Sequence, residues 1–183
     1  MARNPPYRAV LLANTVIVPD LNDSKKLFEK FYGKPVGTEK PKPGDVETPL
    51  VLDPLETFYL AKQGVIEVYD KHGQRLSREE LEKWAESRLP RFKHLYKVYE
   101  SLRMMGFVVR PGLKFGADFT VYRRGPGLEH SLFIVNVYPL QESIDPVELV
   151  KAGRLSHSVR KTFVLASLEG GEPVYLMFKW FKP

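Results

Sequence analysis

The sequence contains no cysteine. That excludes a disulfide framework and a thiolate metal site. Its four histidines, at positions 72, 94, 130 and 157, have no metal-ligand spacing, and HExxH is absent. Neither a metal ion nor a cofactor is expected. No uninterrupted apolar run is long enough to cross a membrane, and the first residues, MARNPPYR, carry no apolar segment of signal-peptide type. A cytoplasmic protein with no membrane partner is therefore expected. Internal repeats and low-complexity segments are also missing. The chain does carry excess positive charge: 28 Lys and Arg against 22 Asp and Glu, a net +6. That balance favours a polyanionic partner without proving one. At 183 residues the chain suits one domain or two small ones, each able to bury a core.

Hydrophobic runs and turn signals alternate along the first half. Arg8 to Val18, RAVLLANTVIV, reads as one or two strands. Asn22 or Asp23 is the expected cap of a short helix running to Phe31, with Gly33 ending it. Lys34 to Pro49 is rich in proline, glycine and charge, which argues against regular structure. Loops of that length are uncommon without a role. Lys34, Lys40 and Lys42 are available there for phosphate, although a plain surface loop is the simpler reading. Asp53 with Glu56, and Ser77 with Glu80, are two capping boxes that open helices. Between them lie a strand at Val65–Tyr69 and a turn at Lys71–Gln74. Pro90 breaks or kinks the second helix, and a further helix runs to about Met105. The fold class is α+β. A small N-terminal α/β domain, residues 1–89, precedes a C-terminal domain, residues 90–183, with a mixed sheet flanked by helices.

The chain is organised around Pro111 to Lys161. Phe119–Tyr122 and Ser131–Tyr138 read as strands, and the Gly125-Pro126-Gly127 cluster between them as a turn or loop. Tyr122 and His130, eight positions apart, therefore fall near each other at one end of a hairpin. Asp145, Pro146 and Glu148 announce a helix. At about 100° per residue, Leu149, Ala152, Leu155 and Val159 share one face and Arg154, His157 and Lys161 the opposite one. After Lys161 come a buried strand, TFVLASL, a turn at Glu169–Glu172, and a last strand, Pro173–Phe181, apolar on both faces. Such a strand is either central in a sheet or paired with another subunit.

A tyrosine, a histidine and a lysine so placed can cleave RNA without a metal. The 2′-hydroxyl attacks its own phosphodiester, so one group takes a proton and another protonates the departing 5′-oxygen. A fixed cation holds the charge that develops on phosphorus. Histidine, with a reference pKa of about 6.5, suits the acid. Lysine suits the cation. Tyrosine, at about 10, needs nearby positive charge to act as a base, and Arg123, Arg124 and Lys161 are candidates to supply it. Each residue also has an ordinary reading. Tyr122 is a common kind of cluster cap, His130 a surface histidine, and Lys161 a favourable charge at a helix C-terminus.

The surrounding motif favours the catalytic reading. GLKFGADFTVYRRG, EHSLFIVNVYP and ELVKAGRLSHSVRKTFVLAS resemble the catalytic domain of archaeal tRNA-splicing endonucleases. LDPLETFYLAKQGVIEVYDKHGQRLSREEL resembles that family's N-terminal domain. The resemblance covers roughly Asp53 to the end. It implies Tyr122 as general base, His130 as general acid and Lys161 as the transition-state lysine. It also implies cleavage of precursor tRNA at both splice sites of a bulge–helix–bulge, leaving a 2′,3′-cyclic phosphate and a 5′-hydroxyl. By the same resemblance Arg154 and Trp180 are candidates to clamp a bulged base by stacking and cation–π contact. Arg123, Arg124, Lys114, Arg110 and Lys42 are candidate phosphate contacts. The loop at 34–49 is similar to an insertion in some crenarchaeal members. The expected partner is a homologous endonuclease subunit, in a heterotetramer ahead of a homo-oligomer. Two other functions remain open: a non-catalytic RNA-binding subunit of the same assembly, which would lack the triad, and a metal-dependent nuclease, at which only Asp118 hints.

Overall fold

A computed structural model describes residues 6–38, 44, 46–139, 146–147, 150, 153–154 and 161–178. The chain forms two compact units, Met1–Phe92 and Lys93–Pro183. The α+β class is as the sequence indicates, and each unit holds one mixed five-stranded sheet.

In the first unit the sheet order is β3-β4-β2-β1-β5, with β1 at Tyr7–Leu12, β2 at Thr15–Val18, β3 at Lys34–Pro35, β4 at Leu50–Leu52 and β5 at Ile66–Tyr69. The β1–β5 pair is parallel and the other pairs antiparallel. Helix α1, Leu21–Glu29, is capped by Asp20, whose carboxylate accepts from the Asp23 amide at 2.9 Å. The expected caps, Asn22 and Asp23, lie inside the first turn instead. Asp20 wins because it directly follows the β2 exit and reaches the third helical amide. Helix α2, Pro54–Lys62, and helix α3, Arg78–Arg88, both begin with the capping boxes seen in the sequence. Glu56 closes its box and also accepts from the Gly33 amide at 3.0 Å, so the buried carboxylate ties α2 to the end of the α1 connection. The 34–49 segment is more regular at its base than its composition suggests. Lys34 and Pro35 pair with Val51 and Leu50, and a Cβ on Gly33 would lie 2.5 Å from the Leu50 side chain. Glycine thus permits the close approach that lets β3 form.

In the second unit the order is β10-β9-β8-β7-β6. The strands are β6 Val108–Pro111, β7 Phe119–Tyr122, β8 Phe133–Val137, β9 Thr162–Glu169 and β10 Glu172–Phe178. Among the described strands of this sheet, only β8 and β9 pair in parallel. A parallel pair needs a long crossover, and residues 138–161 supply it; Pro146, Val147, Val150, Gly153 and Arg154 are helical within that stretch. Helix α4, Phe92–Met104, lays an i, i+3, i+4, i+7 stripe of Leu95, Val98, Tyr99 and Leu102 into the core. Tyr99 meets Phe119 of β7, with ring centroids 6.2 Å apart. Val121, Ile134, Val135, Val137, Phe163 and Ala166 are among the buried sheet residues. At about 1.5–3 kcal/mol for each fully buried large aliphatic or aromatic side chain, this layer is what holds the strand ends in register.

Candidate active site

One end of the second sheet gathers the three residues that the chemistry requires. Tyr122 is the last residue of β7, opposite Val108 of β6. On its other side the pairing with β8 runs through Val121 opposite Phe133 and continues through the Leu132 amide, which donates to the Val121 carbonyl at 2.8 Å. His130 lies two residues before Leu132. Parallel strand β9 begins at Thr162 opposite Phe133, and the Thr162 amide donates to the Leu132 carbonyl at 3.3 Å. Lys161 therefore enters from the same end as Tyr122 and His130, on the strand beyond. Neighbouring strands lie about 4.8 Å apart, so three consecutive strands put the three residues within one substrate-sized span.

His130 is exposed, and Tyr122 and Lys161 are half-buried. The Lys161 Nζ donates to the Ser131 carbonyl at 3.4 Å and lies 5.4 Å from the centre of the Phe115 ring. Burial pushes this ammonium below the ordinary lysine value of 10.5, since a low-dielectric surrounding disfavours the charged form. Sequence reasoning assigned no role to Ser131 or Phe115. A main-chain carbonyl has no side-chain signature at all. Phe115 left one trace, an aromatic residue bracketed by Gly112 and Gly116.

The loop from Tyr122 to His130 is ordered by its own carboxylate. Glu129 accepts from the Arg124 amide at 2.6 Å. That bond, chiefly, holds the Glu129 carboxyl below the usual glutamate range, with smaller help from the amides of Arg123 and Gly125 and the charge of Arg124. Gly125 and Gly127 both take positive φ, at 124° and 83°, as a turn of this tightness requires. Arg123 and Arg124, which directly follow Tyr122, are exposed.

The structure separates other candidates from this end. Asp118 lies at the opposite end of β7, where its Oδ2 accepts from the Val137 amide at 2.8 Å and its own amide donates to Asn136 at 3.3 Å. Its carboxylate joins β7 to β8. Among the described residues no three of His, Asp and Glu come together as metal ligands would. Arg154 is helical and exposed. Lys161 is not helical, so its expected place on a helical face with Arg154 and His157 does not hold. The reason is the pairing with β8, which captures the chain from Thr162 onward and aligns Lys161 with a strand. Lys114 is exposed on a short turn, and Arg110 lies in β6 opposite Thr120. Lys40, Lys42, His157 and Trp180 lie outside the described residues, as do Asp145, Glu148 and the expected apolar face Leu149, Ala152, Leu155 and Val159.

The chain matches the family model of the tRNA intron endonuclease N-terminal domain over residues 7–82 and that of the catalytic C-terminal domain over residues 92–175. It is 51% identical over 180 residues to a tRNA-splicing endonuclease from Hyperthermus butylicus, covering 96% of this chain and 99% of the relative. A tRNA-splicing endonuclease from Saccharolobus solfataricus is 46% identical over 179 residues, covering 96% of this chain and 98% of the relative.

Proposed function

This chain belongs to the tRNA intron endonuclease family, with both of its domains, and is a tRNA-splicing endonuclease; from that premise we propose that it cuts precursor tRNA at the 5′ and 3′ splice sites of a bulge–helix–bulge with Tyr122, His130 and Lys161, and without a metal ion. The observation that carries the proposal is the convergence of these three residues at one end of three adjacent strands.

In the proposed reaction Tyr122 takes the proton of the 2′-hydroxyl at the scissile nucleotide. The 2′-oxygen forms a new bond to phosphorus. Lys161, half-buried and anchored, meets the additional negative charge of the phosphorane. The bond to the 5′-oxygen then breaks as His130 delivers its proton to that oxygen. A 2′,3′-cyclic phosphate and a 5′-hydroxyl result, and no water is consumed. The Lys161 ammonium is more effective for being partly shielded, since a charge in a lower dielectric acts more strongly on its neighbour. Arg154, with Trp180, is proposed to hold a bulged base and so fix the backbone beside it. Arg123, Arg124 and Lys42 are proposed to contact phosphates. The proposal includes a homologous subunit as partner and a cytoplasmic setting. Among the described residues no helix is long and apolar enough to cross a membrane.

End-group analysis of the products in excess chelator tests this chemistry. The expected result is undiminished cleavage with cyclic phosphate and 5′-hydroxyl ends. Products with 3′-hydroxyl and 5′-phosphate ends, or cleavage abolished by the chelator, would identify a metal-dependent nuclease instead.

A further inference from the structure

The turn that holds Phe115 is built with unusual constraint for an exposed segment. Leu113–Phe115 forms a single 3-10 turn, ended by Gly116 in the left-handed conformation at φ 61°. Its start is equally fixed. The Gly112 amide donates to the Asp118 carbonyl at 2.9 Å, and the Gly112 carbonyl accepts from Phe115 at 2.8 Å and Ala117 at 3.2 Å. A Cβ on Gly112 would lie 2.7 Å from the Ala117 carbonyl oxygen. Two glycines therefore close a turn whose last residue is Phe115. Leu113, on the same turn, is 89% exposed, so hydrophobic burial does not explain the turn as a whole. Phe115 is half-buried, and its ring has the Lys161 ammonium within 5.4 Å of its centre.

We propose that the Leu113–Phe115 turn is a positioning element for Lys161, in which the Phe115 ring and the Ser131 carbonyl together hold the ammonium as a cation at the scissile phosphate. The proposal rests on the reading of Lys161 as the charge-stabilising group. A lysine has four rotatable bonds and a compact charge that any nearby acceptor can attract. Two contacts from different elements remove that freedom. The carbonyl accepts one N–H, and the negative face of the ring attracts the charge. Ser131 directly follows His130 in the chain, so the same carbonyl links the position of the cation to that of the acid. An aromatic face suits this task better than a carboxylate. It orients the cation without neutralising the charge that the phosphorane needs.

The ring also opposes the effect of burial. Burial is the cause that lowers the Lys161 pKa. Among the described residues, the titratable and charged groups around this site are Tyr122 on β7, Arg123, Arg124, Glu129 and His130 on the loop to β8, and Lys114 and Asp118 on the β6–β7 connection that carries Phe115. Removal of the ring takes away a stabiliser of the cation, so the lysine should lose its proton at lower pH.

The test uses the full chain in its native assembly, on a bulge–helix–bulge RNA under single-turnover conditions. Cleavage rate and RNA affinity are measured from neutral pH into the alkaline range for the parent, Phe115→Leu, Phe115→Trp and Lys161→Ala. Phe115→Leu should cleave about 3- to 30-fold more slowly, the range that a cation–π contact of ordinary strength implies. Its RNA affinity should stay unchanged, and its alkaline limb should move to lower pH. Phe115→Trp, which keeps an aromatic face, should restore both rate and limb. The proposal is overturned if Phe115→Leu keeps the parental rate and limb, or if Phe115→Trp is as impaired as Phe115→Leu. Lys161→Ala separates this claim from the function itself. If that variant cleaves like the parent, the assigned role of Lys161 is wrong. If it is strongly impaired while Phe115→Leu is normal, only the positioning role falls.

Discussion

Glu129 is exposed to solvent on one side and to three main-chain amides on the other, and it shows what one side chain contributes at the site. Its bond from the Arg124 amide is charge-assisted, and such bonds are roughly twice as strong as neutral ones. The folded carboxyl titrates below the ordinary glutamate value of 4.5. Its tie to the loop is therefore complete above that pH and is lost as pH falls through the depressed folded value. An NMR titration of the Arg124 amide should show a midpoint below 4.5, and Glu129→Gln should abolish that transition. A midpoint at or above the ordinary value would mean that the carboxylate does not order the loop. Cleavage by Glu129→Gln should be slower by a few-fold, because His130 follows the loop directly and small displacements of a catalytic group matter. At this scale the sequence is informative about chemistry and poor about contacts. Tyr122, His130 and Lys161 were identifiable as candidates by residue type and motif. The partners of Lys161 were not, since one is a carbonyl and the other an aromatic ring nearly fifty residues earlier.

The elements repeat that contrast. Both capping boxes, the glycine stops and the α4 stripe are local patterns of side chains, and local patterns can be read from a single sequence. Helical periodicity places Lys161 on a helix face because the pattern extends smoothly through the sequence, whereas the pairing with β8 that begins at the next residue, Thr162, is long-range. Strand β10 is a related case. Its apolar residues on both faces suggested a central strand or an interface, and β10 is the edge of its sheet. Val174, Leu176 and Phe178 alternate along one side and remain exposed, Leu176 at 58%. An apolar edge strand is a liability that native proteins normally cover, and a homologous subunit would cover it. Leu176→Asp should split the assembly. Leu176 is exposed in the monomer, so the change should leave the fold intact. The mass measured by light scattering should fall to about half or less, as expected when a symmetric contact is lost. An unchanged mass would rule out β10 as the contact.

At the scale of the whole molecule, one chain supplies one proposed active site, whereas an intron has two boundaries. Release takes a cut at each boundary, and the proposed partner subunit on the exposed β10 edge supplies the second site. The net charge of +6 supplies general attraction for RNA, an effect that weakens with salt and carries no sequence information. In the proposed reaction cleavage itself depends on Tyr122, His130 and Lys161. The most direct test is the single-turnover rate of His130→Ala on a bulge–helix–bulge precursor, with RNA affinity measured alongside. A general acid contributes about 10²- to 10⁴-fold. The variant should lose rate on that scale and still bind RNA as the parent does. A His130→Ala protein that cleaves near the parental rate would contradict the account.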